Sequence, residues 1–395
     1  MKNSFKFFFF LLIRKIKVRL NLPKQKNLVI FDNTSLEDLE NILKARDYFI
    51  LKVRVNEIEE IFLNLQIIIE IFKNFLRYKT EKQKTTNIFW SSYLVSLITL
   101  LKPKLVITHI DNSKKFSEIS KILSKKLKFF TIQNAARYDQ IIEKKNSKEI
   151  NKFYIQNFCC FSDYEIELYK SLNIQVDNFH KVGSIRNSNF LHYVQEKKIN
   201  LNKNLYDLGV LLEVPLPIHE YTNNTEHFVL PLKYSIKYSV EKNLKLIFIG
   251  KFQNIKDHIN YFEDYLDDNE IKIIKKNFIS RDKRVFSSYM ACFQCKILIG
   301  VASTLLREKI SSGEKILCCN YSGSNIWNFP IKGLCFTKEK NYDFFKSRVD
   351  KILNATNSEY LSSLDRKCDY VLNNENDNST ILKLNKLIDK VLEIS

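Results

Sequence analysis

Short apolar runs alternate with longer stretches of helical period along most of this chain. NLVIFD (27–32) reads as a strand ending on Asn33-Thr34-Ser35, residues that can cap the helix LEDLENILKA. DYFILKVRV (47–55) is a second strand, and IEEIFLNLQIIIEIFKNFLRY (58–78) and NIFWSSYLVSLITLL (87–101) are helices. KLVITHID (104–111), KLKFFTIQN (126–134) and FYIQNFCCF (153–161) read as strands, with a helix near 114–125 and another at DYEIELYKSLN (163–173). This rhythm predicts a parallel sheet with crossover helices, an α/β fold.

KVGSIRNSNF (181–190) holds the first glycine, and a polar, lysine-rich stretch follows to about residue 204. The boundary is placed there: 27–182 as a first domain, 183–204 as linker, 205–340 as a second. The rhythm restarts at DLGVLLEVPLP (207–217), whose prolines end the strand. A helix over 228–242, the strand LKLIFIGKF (244–252), a weak strand KIIKKNF (272–278) and the helix RVFSSYMACFQ (284–294) follow. Then come CKILIG (295–300) as a strand, TLLREKISS (304–312) as a helix and EKILCCN (314–320) as a strand. Residues 341–395 are mostly helical and polar, and the two halves share one architecture.

All seven glycines fall between 183 and 333, positions where backbone geometry or close approach demands them. Two of them, Gly300 and Gly313, bracket the helix that starts at Thr304. In an open parallel sheet, ligands sit beyond the carboxyl ends of the strands, and 300–304 is such a loop. Ser303 and Thr304 lie where the free N–H groups of a helix start form an anion site suited to phosphate. Glu308, one turn on, shares the face of Thr304 and can accept hydrogen bonds from sugar hydroxyls. The alternative is a plain capped helix: Ser303 as cap, Glu308 as a solvated charge. Either way Gly313 ends the helix in a left-handed cap.

Composition narrows the classes. Hydrophobic residues are 45% of 395, enough for two cores and too many for a disordered chain. The formal charge of +19 would suit a polyanion or an acidic membrane, but the lysines are scattered and reflect the lysine- and asparagine-rich composition. With no zinc-finger, basic-zipper or aromatic RNA-binding signature, nucleic acid is not expected as a partner. The eight cysteines lack a secreted disulfide pattern, and Cys292-Phe-Gln-Cys295 has no second pair to complete a zinc site, so buried, reduced thiols in the cytoplasm are expected. Before Asp32 stand eight Lys/Arg and no acid, with Phe7–Ile13 an apolar run too short to span a bilayer. This segment, 1–26, either lies on an anionic membrane surface or packs as an N-terminal helix.

The pattern Gly300, Ser303, Thr304, Glu308, Gly313, Lys315, Ile316, Leu317 resembles the donor-site segment of GT-B glycosyltransferases. With VITHIDNSKKFSEISKIL (106–123), FFTIQNAARYD (129–139), KVGSIRNS (181–188) and IFIGKF (247–252), the chain resembles a bacterial surface-carbohydrate biosynthesis family of that fold. The resemblance implies two Rossmann-like domains facing across a cleft, the second binding a nucleotide-sugar. It implies that the loop contacts the diphosphate, that Glu308 contacts the ribose, and that a sugar passes to a polysaccharide or lipid-linked acceptor at the inner membrane face. Two departures stand out. Gly300 occupies the place, eight residues before Glu308, where retaining members carry a second glutamate, and Ala135 stands where related sequences carry glycine. Lys251 and Arg186 are expected at the phosphates, which makes metal dispensable, and no cofactor is expected. His109 and Asp111, closing KLVITHID, are candidate bases, the alternatives being a core histidine and a helix cap. Gln133, Asn134 and Arg137 are expected on the acceptor. A same-fold epimerase or glycerophosphotransferase, or a non-catalytic carbohydrate-binding assembly protein, is the alternative reading. The chain has no His-Gly pair of the kind expected of the glycerophosphate polymerases.

Overall fold

The computed structural model describes residues 16–54, 57–80, 88–137, 153–214, 226–373 and 379–394. The Phe7–Ile13 run and the prolines after Val214 lie outside the described residues. The first half comprises β1 (Lys17–Arg19), β2 (Leu28–Phe31), α1 (Glu40–Leu43), β3 (Tyr48–Leu51), β4 (Glu60–Phe62), α2 (Leu65–Thr80) and α3 (Ile88–Leu101). It continues with β5 (Leu105–Thr108), α4 (Lys114–Leu123), β6 (Lys128–Ile132), β7 (Tyr154–Cys160), α5 (Asp163–Ser171), β8 (Gln175–Lys181) and α6 (Ile185–Glu196). Its main sheet is parallel, in the order β3-β2-β5-β6-β7-β8, while β1 and β4 pair separately. LVIF of β2 is buried on both faces. Period two sends Val29 and Phe31 into one core beneath α3, and Leu28 and Ile30 into another.

The second half holds β9 (Tyr206–Leu212), α7 (Glu226–Lys242), β10 (Leu246–Gly250), α8 (Lys256–Phe262), α9 (Asp268–Lys276), β11 (Phe278–Ile279) and α10 (Ser287–Gln294). Then follow β12 (Cys295–Gly300), α11 (Thr304–Ser311), β13 (Lys315–Cys319), β14 (Phe336–Thr337), α12 (Tyr342–Asn354), α13 (Asn357–Ser362) and α14 (Ser379–Ile394). The sheet, again parallel, runs β11-β10-β9-β12-β13-β14. The molecule is α/β with two Rossmann-like parallel sheets, as the rhythm predicts. Strand order reverses between β2 and β5 in one sheet and between β9 and β12 in the other, the places where ligand crevices open in such sheets. Finally α14 returns to the first domain, where Ile381, Leu384 and Ile388 join the core of Leu28, Ile30 and Ile107.

Three expectations fail locally. Residues 60–62, expected as helix, form β4 because β1 offers its edge for parallel pairing. KIIKKNF is helical through Lys276, since Asp267 and Glu270 form a reciprocal capping box one turn upstream. Ser35 does not cap with its side chain: it sits at φ +58°, and the carboxylate of Asp32 holds the turn by accepting from the Thr34 N–H and hydroxyl.

Candidate functional site

The loops after both switch points line one cleft of about 780 Å³ between the domains. From the first domain come Glu37, Asp38 and residues 135–137, and from α6, Arg186. The second contributes Glu213 after β9, Lys251 after β10, Arg281 and Lys283 before α10, Tyr289 on α10, and residues 302–305 and Glu308 around the start of α11. Phe228, Phe286 and Trp327 add apolar wall.

Glu308 is fully buried. Its Oε1 accepts the hydroxyls of Ser184 (2.5 Å) and Tyr289 (3.0 Å), while Oε2 has no hydrogen-bond partner among the described residues. Burial pushes its carboxyl up to about 7, against the two hydroxyl bonds and the charge of Arg186. Such a group exchanges between acceptor and donor near neutrality, and the residue belongs to the cleft lining.

The loop ahead of α11 holds an anion already. Glu213 accepts the N–H of Ala302 at 2.9 Å through Oε1 and the N–H of Val301 through Oε2. Desolvation pushes this carboxyl up to about 6, the loop amides and Lys251 working the other way. Gly300 is what admits it: a Cβ there would stand 2.8 Å from Glu213 Oε2 and 2.8 Å from the Leu211 side chain. Ser303 caps α11 by accepting the Leu305 N–H at 3.3 Å. Thr304 reaches across the cleft, its hydroxyl accepting the Ala136 N–H at 2.9 Å. Gly313, at φ +74°, follows the helix as the left-handed residue expected there.

Lys251 lines the cleft with no hydrogen-bond acceptor in range among the described residues; burial lowers its ammonium pKa while Glu213 opposes the shift. Arg281 leans on it, donating to the Lys251 carbonyl at 3.2 Å. Arg186 is held three ways: by Asp38 Oδ2 (2.6 Å), the Asn134 carbonyl (2.9 Å) and the Ser35 hydroxyl (3.2 Å). The left-handed Ser35 thereby aims the β2 loop at α6.

The acceptor-side candidates are placed differently from one another. Asp111 is buried behind the cleft wall: Arg137 pairs with both its oxygens, the Asn134 N–H reaches one at 3.3 Å and the Tyr169 hydroxyl the other at 3.3 Å. His109 is buried too, its Nδ1 3.6 Å from Asp38 Oδ2, and desolvation pushes it down to about 4, so it is neutral at pH 7. Gln133 is occupied by Ala135, Phe161 and Glu165. Of this set, Arg137 lines the cleft, whereas Asp111, His109, Gln133 and Asn134 stand behind it. Among the described residues no group of three His, Cys, Asp or Glu is arranged to hold a metal, and Cys292 and Cys295 are buried, free thiols. Asp38, Glu213, Tyr289 and Ser184 were not singled out in the sequence. The one local hint of Glu213 is Gly300, whose missing side chain leaves room for it.

Scanned against protein-family models and against curated protein sequences, the chain matches none. Among solved structures it is similar to S. aureus MnaA bound to UDP, with a TM-score of 0.53, 10% identity, and coverage of 96% of this chain and 98% of that one. It is similar to the UDP-GlcNAc 2-epimerase of Methanocaldococcus jannaschii in complex with UDP-GlcNAc and UDP, with a TM-score of 0.51, 12% identity, and coverage of 95% and 100%. A third similarity is to a variant of the wall teichoic acid polymerase TagF, with a TM-score of 0.51, 10% identity, and coverage of 94% and 90%. Likeness over nearly the whole of each chain, on top of two parallel sheets with facing switch points, establishes the architecture as the two-domain GT-B fold.

Proposed function

We propose that the protein is a glycosyltransferase that takes a nucleotide-sugar in the interdomain cleft and passes the sugar to a cell-surface polysaccharide or lipid-linked acceptor. The observation that carries this reading is Glu308: a buried carboxylate on the cleft wall with one oxygen unpartnered among the described residues, one turn into the helix that follows the switch-point strand. A ribose hydroxyl is the natural donor to that oxygen, and Phe228, Phe286 and Trp327 offer apolar surface to a base. Two of the fold relatives were solved with UDP, which supports a nucleotide in this cleft.

In transfer with inversion, the acceptor oxygen bonds to the anomeric carbon as the bond to the diphosphate oxygen breaks, and a base takes the acceptor's proton. This reading gives the departing negative charge to Lys251 and Arg281 rather than to a metal. The base is Asp38, which lines the cleft with Arg186 on one of its oxygens and neutral His109 beside it, in preference to Asp111, which is buried behind the wall with both oxygens engaged. The acceptor is placed at an anionic membrane surface, supported by the exposed apolar stripe of α2. Among the described residues no helix is long and apolar enough to cross a membrane.

A non-catalytic glycan-binding protein is the second reading, favoured by one observation: the amides of Val301 and Ala302 already hold a carboxylate. Melting the protein with UDP, GDP, CMP, CDP, ADP and dTDP separates the two. At a hundred times its dissociation constant, one nucleotide should add about 2.7 kcal/mol to wild type, and Glu308→Ala should lose most of that response. No response from wild type to any of the six would leave the second reading in place.

A further inference from the structure

Glu213 sits where a ligand's phosphate would be expected. It stands at the end of β9, across the switch point from the loop that follows β12, and both of its oxygens take amides of that loop. A bidentate carboxylate on successive backbone N–H groups presents the charge and spacing of two phosphate oxygens. Gly300 is shaped to it, since any side chain there would strike Glu213 Oε2. Lys251 faces the same carboxylate and has no hydrogen-bond acceptor of its own among the described residues. One helical turn away, the fully buried Oε2 of Glu308, unpartnered among the described residues, marks the same cleft as a place that a ligand completes.

We infer that Glu213 is an internal competitor for this cradle: it holds the Val301 and Ala302 amides in the free protein, and the ligand's phosphate must displace it to bind. The inference rests on the proposed nucleotide-sugar reading and adds a resident anion to it. The loop is kept folded without ligand, and affinity for the phosphate end is held down by the cost of expelling the carboxylate. Once expelled, Glu213 swings toward Lys251, or into the cleft as an acceptor for a donor-sugar hydroxyl.

A loop staple and a competitor differ in what an anion does after the carboxylate is removed. Inorganic pyrophosphate is the probe, because it needs no knowledge of the nucleoside, with sodium chloride at matched ionic strength as control. Wild type, Glu213→Ala and Glu213→Gln are melted with and without it at pH 7.5. The expected result is that both variants melt lower than wild type in chloride, and that pyrophosphate raises them by several degrees while moving wild type by less than half as much. Tighter binding by isothermal titration, tenfold or more for Glu213→Ala, should accompany the rescue. If pyrophosphate leaves both variants where chloride leaves them, or shifts all three proteins equally, Glu213 is a staple and the inference is overturned. Should nucleotides stabilise wild type while that happens, the proposed function survives alone. Should pyrophosphate rescue the variants while no nucleotide acts on any of the three, the cradle stands and the nucleotide reading falls.

Discussion

At Glu308 a carboxylate without exposure meets two hydroxyls and, among the described residues, no ion-pairing cation. Its folded pKa of about 7 lies above the ordinary glutamate value of 4.5, so folding favours the protonated form. The stability it contributes is therefore full below about pH 4.5 and is lost as pH rises through about 7. A shift of this size corresponds to about 3 kcal/mol. Glu308→Gln, which stays neutral, should be the more stable protein in alkali relative to wild type, with the difference shrinking on acidification. Urea midpoints taken in steps from about pH 5 to 8 read this directly. A wild-type-minus-variant difference that is flat with pH would mean that the carboxyl titrates as an ordinary exposed glutamate.

Helix α11 divides its faces among three tasks. Leu306 and Ile310 go into the core of their own domain, and buried Lys309 donates to the Cys292 carbonyl in the last turn of α10 (2.7 Å) and to the Cys295 carbonyl at the start of β12 (2.8 Å). Arg307 crosses to the other domain, pairing with Glu165 on α5 and donating to the Arg137 carbonyl, with Tyr164 stacked 4.7 Å from its guanidinium. Both partners of that ion pair are shut off from solvent. Arg307→Ala should then cost about 3–5 kcal/mol, since it strands a buried carboxylate, and Arg307→Met with Glu165→Leu should recover most of the loss. Guanidinium unfolding of the two variants checks this; an Arg307→Ala protein within about 0.5 kcal/mol of wild type would show that the interface opens without effort. This helix was legible in the sequence because Gly300, Ser303 and Gly313 punctuate it locally. Its partners were not, because Ser184, Tyr289 and Glu165 become neighbours only through the packing of separate elements. The same distinction explains the elements missed. QVDNFHK of β8 is an edge strand paired on one side, so most of it faces water and shows no apolar run. The capping box of Asp267 and Glu270, in contrast, was present in the sequence and outweighs the apolar residues that suggested a strand.

On the scale of the molecule, the chain passes between two domains at α6 and again at α14, and Arg307 and Thr304 add polar contacts between them. The outer surface also carries a feature that the cores do not use. On α2, Leu65, Ile68, Ile69, Phe72 and Leu76 share a face, and each is 45% exposed or more. Ile67, by comparison, turns into the core. An amphipathic helix with its apolar side outward, Lys73 and Lys79 along it, and a chain charge of +19 is complementary to an anionic lipid surface. Burying five such side chains in the acyl boundary contributes several kcal/mol at about 25 cal/mol per Å², and the basic residues add attraction that salt screens. Co-sedimentation with vesicles of phosphatidylserine and phosphatidylcholine should therefore capture wild type, weaken as salt rises from about 0.1 to 0.5 M, and fall at least tenfold for Ile68→Glu with Phe72→Glu. Both substitutions lie on the exposed face and leave the melt near that of wild type. If the double variant sediments as wild type does, α2 is not the face that meets the membrane, and an acceptor presented there loses its physical support.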